Sequence, residues 1–145
     1  MNEIVIIDNH PECSIGAPCP TIVASEHKVV LSYYTDDDTI CQIIFSHCFE
    51  FKMGMPDENM IEKYPLGASG LMDYEFQKVN HSSWISAIEN QYKTISEYSR
   101  DGRKYEHYIF TFHDRSFECI SSGFEIKISE KNTMNESMTD AIHEI

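Results

Sequence analysis

Apolar and polar positions alternate with a period of two along much of this chain. The alternation is sharpest from His107 to Cys119, HYIFTFHDRSFEC. Successive side chains of a strand point to opposite faces, so this period predicts half-buried β-structure. Two runs of aromatic and β-branched residues, Tyr108 to Phe112 and Phe117 to Ser121, suit a pleated surface. They flank His113-Asp114-Arg115-Ser116, where the Asp side chain can bond its own backbone two residues on. The pattern predicts a β-hairpin. A two-residue loop at Asp114-Arg115, or a four-residue loop opened between Phe112 and Phe117, sets Phe112 against Phe117, Phe110 against Cys119 and Tyr108 against Ser121. A three-residue loop shifts these pairs but leaves each residue on its own face. One face carries Tyr108, Phe110, Phe112, Phe117 and Cys119 and needs a core. The other carries His107, Ile109, Thr111, His113, Ser116, Glu118 and Ile120. In this register Thr111 lies opposite Glu118, and His113 is its diagonal neighbour.

The rest of the chain reads mostly as short strands. Glu3 to Ile7 is a strand ended by Asp8-Asn9-His10-Pro11, since Pro cannot donate to a ladder. Cys13 to Pro20 is rich in turn residues. Thr21 to Ala24 and Val29 to Tyr34 form a hairpin or bulged pair around Ser25-Glu26-His27-Lys28. Asp36-Asp37-Asp38 is an acidic turn without the alternating ligands of a calcium loop. Thr39 to Lys52 is one long β-segment, with a slip in alternation at Ile43-Ile44 that suggests a bulge or a buried centre. Pro56 opens a short helix through Lys63, with Asp57 and Glu58 placed for its dipole. Tyr64 to Gly70 is a loop of the kind that often carries function. Tyr74 to Val79 is a strand, and Phe124 to Ile128 is another.

One stretch changes period. After the cap candidates Asn80-His81-Ser82-Ser83, the residues Trp84, Ile85, Ile88, Tyr92 and Ile95 recur at helical spacing. This predicts an amphipathic helix over Ser83 to Tyr98, stopped at Asp101-Gly102, with Trp84 packed on Phe110 and Phe112. These readings combine into an α+β fold: a single antiparallel sheet on one main helix (83–98), plus the short helix 56–63. Residues 1–129 make one domain. The tail 130–145 is polar but carries Met134, Met138, Ala141, Ile142 and Ile145 on one helical stripe.

Composition narrows the function classes. The 145 residues carry 24 acidic and 11 basic side chains, a formal charge of −13. That balance argues against nucleic acid or an anionic membrane as partner, since both call for basic patches. It permits a basic protein partner. No run is long enough to span a membrane, and the N-terminus has neither the basic region nor the cleavage site of a signal peptide. Five cysteines, Cys13, Cys19, Cys41, Cys48 and Cys119, include no CxxC pair. They read as reduced thiols, hence a cytoplasmic location. His10 with Cys13, or His47 with Cys48, does not complete a zinc set, so neither metal nor cofactor is expected.

Several segments together resemble a family of small bacterial proteins without an assigned activity. They are Gly16-Ala17-Pro18-Cys19-Pro20, Glu26-His27, Tyr33-Tyr34, Gly54-Met55-Pro56-Asp57-Glu58, Pro65-Leu66, Asn80-His81-Ser82-Ser83-Trp84-Ile85, and above all an FTFHDxxFEC-type hairpin from Phe110 to Cys119. The resemblance implies a self-contained domain with the same helix and hairpin, and no particular activity. The stretch from Gln91 to Lys104 and the tail after Ser129 look particular to this chain.

Two functions follow from these readings. The first is a binding or regulatory module that sequesters a basic partner, as immunity proteins do. It rests on the acidic balance and on the absence of HExxH, Gly-rich nucleotide or Ser-His-Asp signatures. The second is a small-molecule binder or enzyme, with His113, Asp114 and Glu118 at the hairpin end and Glu26-His27 from a neighbouring strand as candidate site residues. A His and a carboxylate on one sheet face make a general acid/base pair. They equally make a solvated polar face. Convergence of Glu26, His27, Asp114 and Glu118 in one concave pocket separates the two.

Overall fold

The strand-period segments fold, in a computed structural model that describes residues 1–16, 20–91, 104–129 and 133–144, into two antiparallel sheets. The strands are β1 (Glu3–Ile6), β2 (Thr21–Ala24), β3 (Lys28–Tyr34), β4 (Ile40–Ser46), β5 (Glu50–Gly54), β6 (Phe76–Asn80), β7 (Glu106–Thr111), β8 (Ser116–Ser121) and β9 (Gly123–Ser129). The helices are α1 (Ser83–Gln91) and α2 (Met134–Glu144). One sheet has the order β1-β6-β7-β8-β5 and the other β2-β3-β4-β9.

This corrects the expected single sheet on one main helix. The reason is where each apolar face finds cover. Val29, Leu31 and Tyr33 of β3, with Cys41, Ile43 and Phe45 of β4, bury themselves against Phe76, Tyr108, Phe110, Phe117 and Cys119 of the other sheet. Sheet covers sheet, as in a β-sandwich. Helix α1 buries only Ile88 among its residues, too narrow a stripe to cap so wide a surface. It lies instead on the outer face of the five-stranded sheet, with Ile120 beneath Ile88. Trp84 is half-buried there, edge-on to His107 at 5.1 Å, and not against Phe110 or Phe112. The expected continuation of this helix over residues 92–98 lies outside the described residues. Helix α2 covers the outer face of the four-stranded sheet, where Gln42 donates to the Ser137 hydroxyl at 2.8 Å and Ala141 is buried.

Three local expectations change. The segment Thr39 to Lys52 is two strands, β4 and β5, which lie in different sheets. The chain turns at His47 (φ 49°), where the Phe49 N–H bonds to the Ile120 carbonyl and the Ser121 hydroxyl to the Ser46 carbonyl. The expected helix from Pro56 shrinks to one 3-10 turn, Ile61–Lys63. Its first amides are taken elsewhere: the Glu58 N–H by the His113 carbonyl, the Asn59 N–H by the Asp57 carboxylate. The hairpin β7–β8 closes on a four-residue loop, Phe112 to Arg115, and its last pair is Thr111 with Ser116. Each residue keeps its expected face, but every pairing moves two residues along. Glu118 therefore faces Ile109, and its diagonal neighbour is His107 rather than His113.

Antiparallel order collects the loops at two ends. One end gathers 7–14, 35–39, 55–60, 71–75 and 112–115, tied together by backbone bonds from Asp36 to Glu12, Glu58 to His113 and Thr111 to Glu75. The β2–β3 turn, the two sheet-switching corners and the start of α1 lie at the other. The segment 55–75 crosses the outer face of the five-stranded sheet. It is pinned there by the Ser116 hydroxyl on the Pro56 carbonyl, the Thr111 hydroxyl on the Met72 carbonyl, and the Gln77 amide on Met72 and Glu75.

Candidate functional site

The hairpin end holds His113 and Asp114, together with two residues not foreseen, Glu58 and Tyr74. Tyr74 adopts φ 55°, an uncommon conformation for a bulky residue. Its hydroxyl donates to Glu58 Oε2 at 2.5 Å and lies 3.0 Å from His113 Nδ1. His113 Nδ1 is also 3.0 Å from Glu58 Oε1, and its Nε2 is 3.6 Å from Asp114. The Tyr74 hydrogen bond, with the His113 bond behind it, holds the Glu58 carboxyl below its usual range. Burial and the Glu58 charge push the Tyr74 phenol up. The cluster is open, with His113 about half exposed.

Glu118 is elsewhere. It points from the outer face of β8 into the space under α1 and the 55–75 segment, and its side chain is 3% exposed. His107 Nε2 lies 2.9 Å from one carboxylate oxygen, while the Tyr64 hydroxyl and the Lys52 ammonium, at 3.5 Å, reach the other. Lys52 is its direct cross-strand partner on β5 and sits 4.7 Å over the Trp84 ring. The second ring nitrogen of His107, Nδ1, lies 2.7 Å from the Ser82 hydroxyl. Burial raises the Glu118 carboxyl, but the hydrogen bonds of His107 and Tyr64 and the Lys52 charge outweigh it and leave it lowered. An ionised carboxylate cannot donate, so His107 Nε2–H donates to Glu118, and in the neutral imidazole Nδ1 then accepts the Ser82 proton. Ser82 also caps α1, accepting the Ile85 N–H at 3.1 Å.

Glu26 and His27 are on the β2–β3 turn at the opposite end, both exposed, with Ser25 accepting the His27 and Lys28 amides. The seven residues of β3 put roughly 20 Å between that turn and the hairpin end. The five candidates thus occupy three places: His113 with Asp114, Glu118 in the interior, and Glu26 with His27. Among the described residues no three His, Cys, Asp or Glu side chains are grouped to hold a metal ion.

Of the residues that build the interior network, His107 and Ser82 had been read only as a face position and a cap. The hairpin's period already placed His107 on the same face as Glu118. Tyr64 and Lys52 carried no local signal, because the contacts span 54 residues of chain and a strand pairing respectively. An open cavity of about 510 Å³ is lined by Ser82, which is itself mostly buried, with Lys78, Ile85, Ser86 and Tyr105 among others.

No described helix is long and apolar enough to cross a membrane. Comparison with protein-family models, curated proteins and solved structures finds no match. The family resemblance therefore rests on its own residues.

Proposed function

We infer that this protein is a binding module for a basic protein partner, and that the loops at the hairpin end form its contact surface. The observation that carries this reading is the gathering of carboxylates there. Asp8 and Glu12, Asp36 to Asp38, Asp57 and Glu58, Asp73 and Glu75, and Asp114 all stand on these five described loops, against Arg115 as the sole Lys or Arg within them. A surface of one sign steers an oppositely charged partner and speeds encounter. The loops are held by the sheets and by cross-loop backbone bonds, so the charges are presented on a rigid mount. The scatter of His113, Asp114, Glu118, Glu26 and His27 speaks against a single acid/base pocket built from them.

The reading is tested by affinity capture from the native host at low and high salt. Three baits are compared: the wild type, a variant with Asp36, Asp37, Asp38 and Asp114 changed to Asn, and a variant with Glu26 and Glu50 changed to Gln at the other end. The expected result is one basic protein held by the wild type and the Glu26/Glu50 variant, lost by the Asp variant and released by salt. A captured protein that is acidic, or that the Asp variant retains in full, overturns the reading.

A further inference from the structure

We propose that Ser82 is a nucleophile for small carboxylic esters, with His107 as its general base and Glu118 as the residue that positions His107. The site is distinct from the acidic loops and lies at the other end of the molecule.

The argument is one of connected geometry. Three groups stand in line, Ser82 Oγ to His107 Nδ1 at 2.7 Å and His107 Nε2 to Glu118 at 2.9 Å. A nucleophile bonded to a base, and the base held by a carboxylate, is the arrangement that activates a hydroxyl. Glu118 is itself fixed by Tyr64 and Lys52, so His107 is kept in the tautomer that accepts the serine proton. A helix cap needs only the Ser82 oxygen. It does not need a His–carboxylate pair behind it, with each side chain only 3% exposed.

Access comes from the other side. Ser82 is the one member of the three that borders the open cavity, which is of the size that admits a small ligand. The residue before it, His81, has φ 55°, so the chain turns sharply from β6 into α1 and carries Ser82 at the turn. The first turn of α1 brings backbone N–H groups beside the hydroxyl. The Ile85 N–H is held by the Ser82 hydroxyl and the Ser83 N–H by the Asn2 side chain, so the oxygen that becomes negative on attack takes over one of these amides. The Lys104 and Glu106 side chains on the cavity wall pair with each other at 3.7 Å, which favours an ester without a strong charge of its own.

The chemistry balances within these groups and water. The Ser82 oxygen bonds to the ester carbonyl carbon while its proton passes to His107 Nδ1. The carbon–alkoxide bond then breaks, and the departing alcohol takes that proton. Water repeats the attack on the acyl-serine, gives a proton to His107, and the acid leaves as Ser82 recovers its hydrogen.

The native chain is treated with a fluorophosphonate, which phosphonylates an activated serine with loss of fluoride, and the site is mapped by peptide mass spectrometry. The expected result is one adduct, on Ser82, absent when the chain is unfolded in urea. The folded His107→Gln variant, checked by circular dichroism, should label about 100-fold more slowly. Labelling of wild type is itself decisive if His107→Gln fails to fold. p-Nitrophenyl acetate, supplied to the wild type and to Ser82→Ala, should release nitrophenol in the first alone. No adduct on the native protein, an adduct on another residue, or nitrophenol release unchanged in Ser82→Ala overturns the proposal. Capture of the basic partner is unaffected by these outcomes, so the two readings fail separately.

Discussion

Replacing Glu118 by Ala should cost about 3–5 kcal/mol, the usual loss when one partner of a buried ion-paired network is removed. The magnitude can be built from the groups left behind. The Tyr64 hydroxyl and the His107 Nε2–H both lose their acceptor under cover of α1 and the 55–75 segment, and each stranded donor costs about 1–3 kcal/mol. Lys52 adds little, because its side chain is 54% exposed and can turn to water. For a chain of this size the loss lowers the melting temperature by on the order of 10 °C. Differential scanning calorimetry of wild type, Glu118→Ala, Tyr64→Phe and the double variant gives the coupling directly. Acid supplies a second reading. The Glu118 carboxyl is lowered in the fold from its ordinary 4.5. Its contribution is therefore present above that value and is lost as pH falls through the folded one. The gap between wild type and Glu118→Ala should close in acid. A variant that melts within about 2 °C of wild type at neutral pH would show that the network carries no stability.

Three further outcomes are expected. Phe76→Ala should cost about 3–5 kcal/mol in urea unfolding, since Phe76 is fully buried between the rings of Phe45, Phe110, Phe124 and Tyr108; a loss below about 1 kcal/mol removes it from the core. In timed alkylation of the native protein, Cys48 should react ahead of Cys13, Cys41 and Cys119. The Cys119 hydrogen bond lowers the Cys48 thiol, while burial raises Cys13 to about 12, Cys41 to about 11 and Cys119 well above its usual value; equal rates refute the assignment. Gly67→Ala should loosen the turns that carry Tyr64, because an added Cβ would sit 2.2 Å from the Ile61 carbonyl oxygen; faster amide exchange at Gly67 and Ser69, with β3 and β4 unchanged, is the check, and unchanged exchange refutes it.

Much of the fold was legible in the period of the chain. The runs at β1, β2, β3, β6 and β9, and both hairpin strands, stand within two residues of where alternation put them, because a side chain's face depends only on its neighbours along the strand. What covers a face is not local. Phe110 and Phe112 called for a core, which the period assigned to the Trp84–Ile88 stripe; the inner face of β3 and β4 supplies it instead. Area decides between them, and the sheet offers Val29, Leu31, Tyr33, Cys41, Ile43 and Phe45 where the described helix offers Ile88. Thr39 to Lys52 misled for a related reason. Apolar residues run through both of its halves, and nothing within it marks the corner at His47 where the chain changes sheets.

The site turned on one count. Period two assigns His107, His113 and Glu118 to the same face, and only the loop length says which His meets the carboxylate. With Phe112 inside the loop instead of at its edge, the pairing moves by two residues, and a two-residue slip keeps every face while replacing every partner. His113 is carried past the end of the sheet, where Glu58 and Tyr74 receive it among the acidic loops. His107 is carried under α1, where Ser82 completes its second hydrogen bond. One turn geometry thus separates two histidines into different chemistry. The exposed one is half open to water beside carboxylates, and the buried one is sealed between a hydroxyl and a carboxylate, with Ser82 on the wall of an open cavity. An added or deleted residue in the loop Phe112 to Arg115 would undo both at once, whereas substitutions within it would touch only the first.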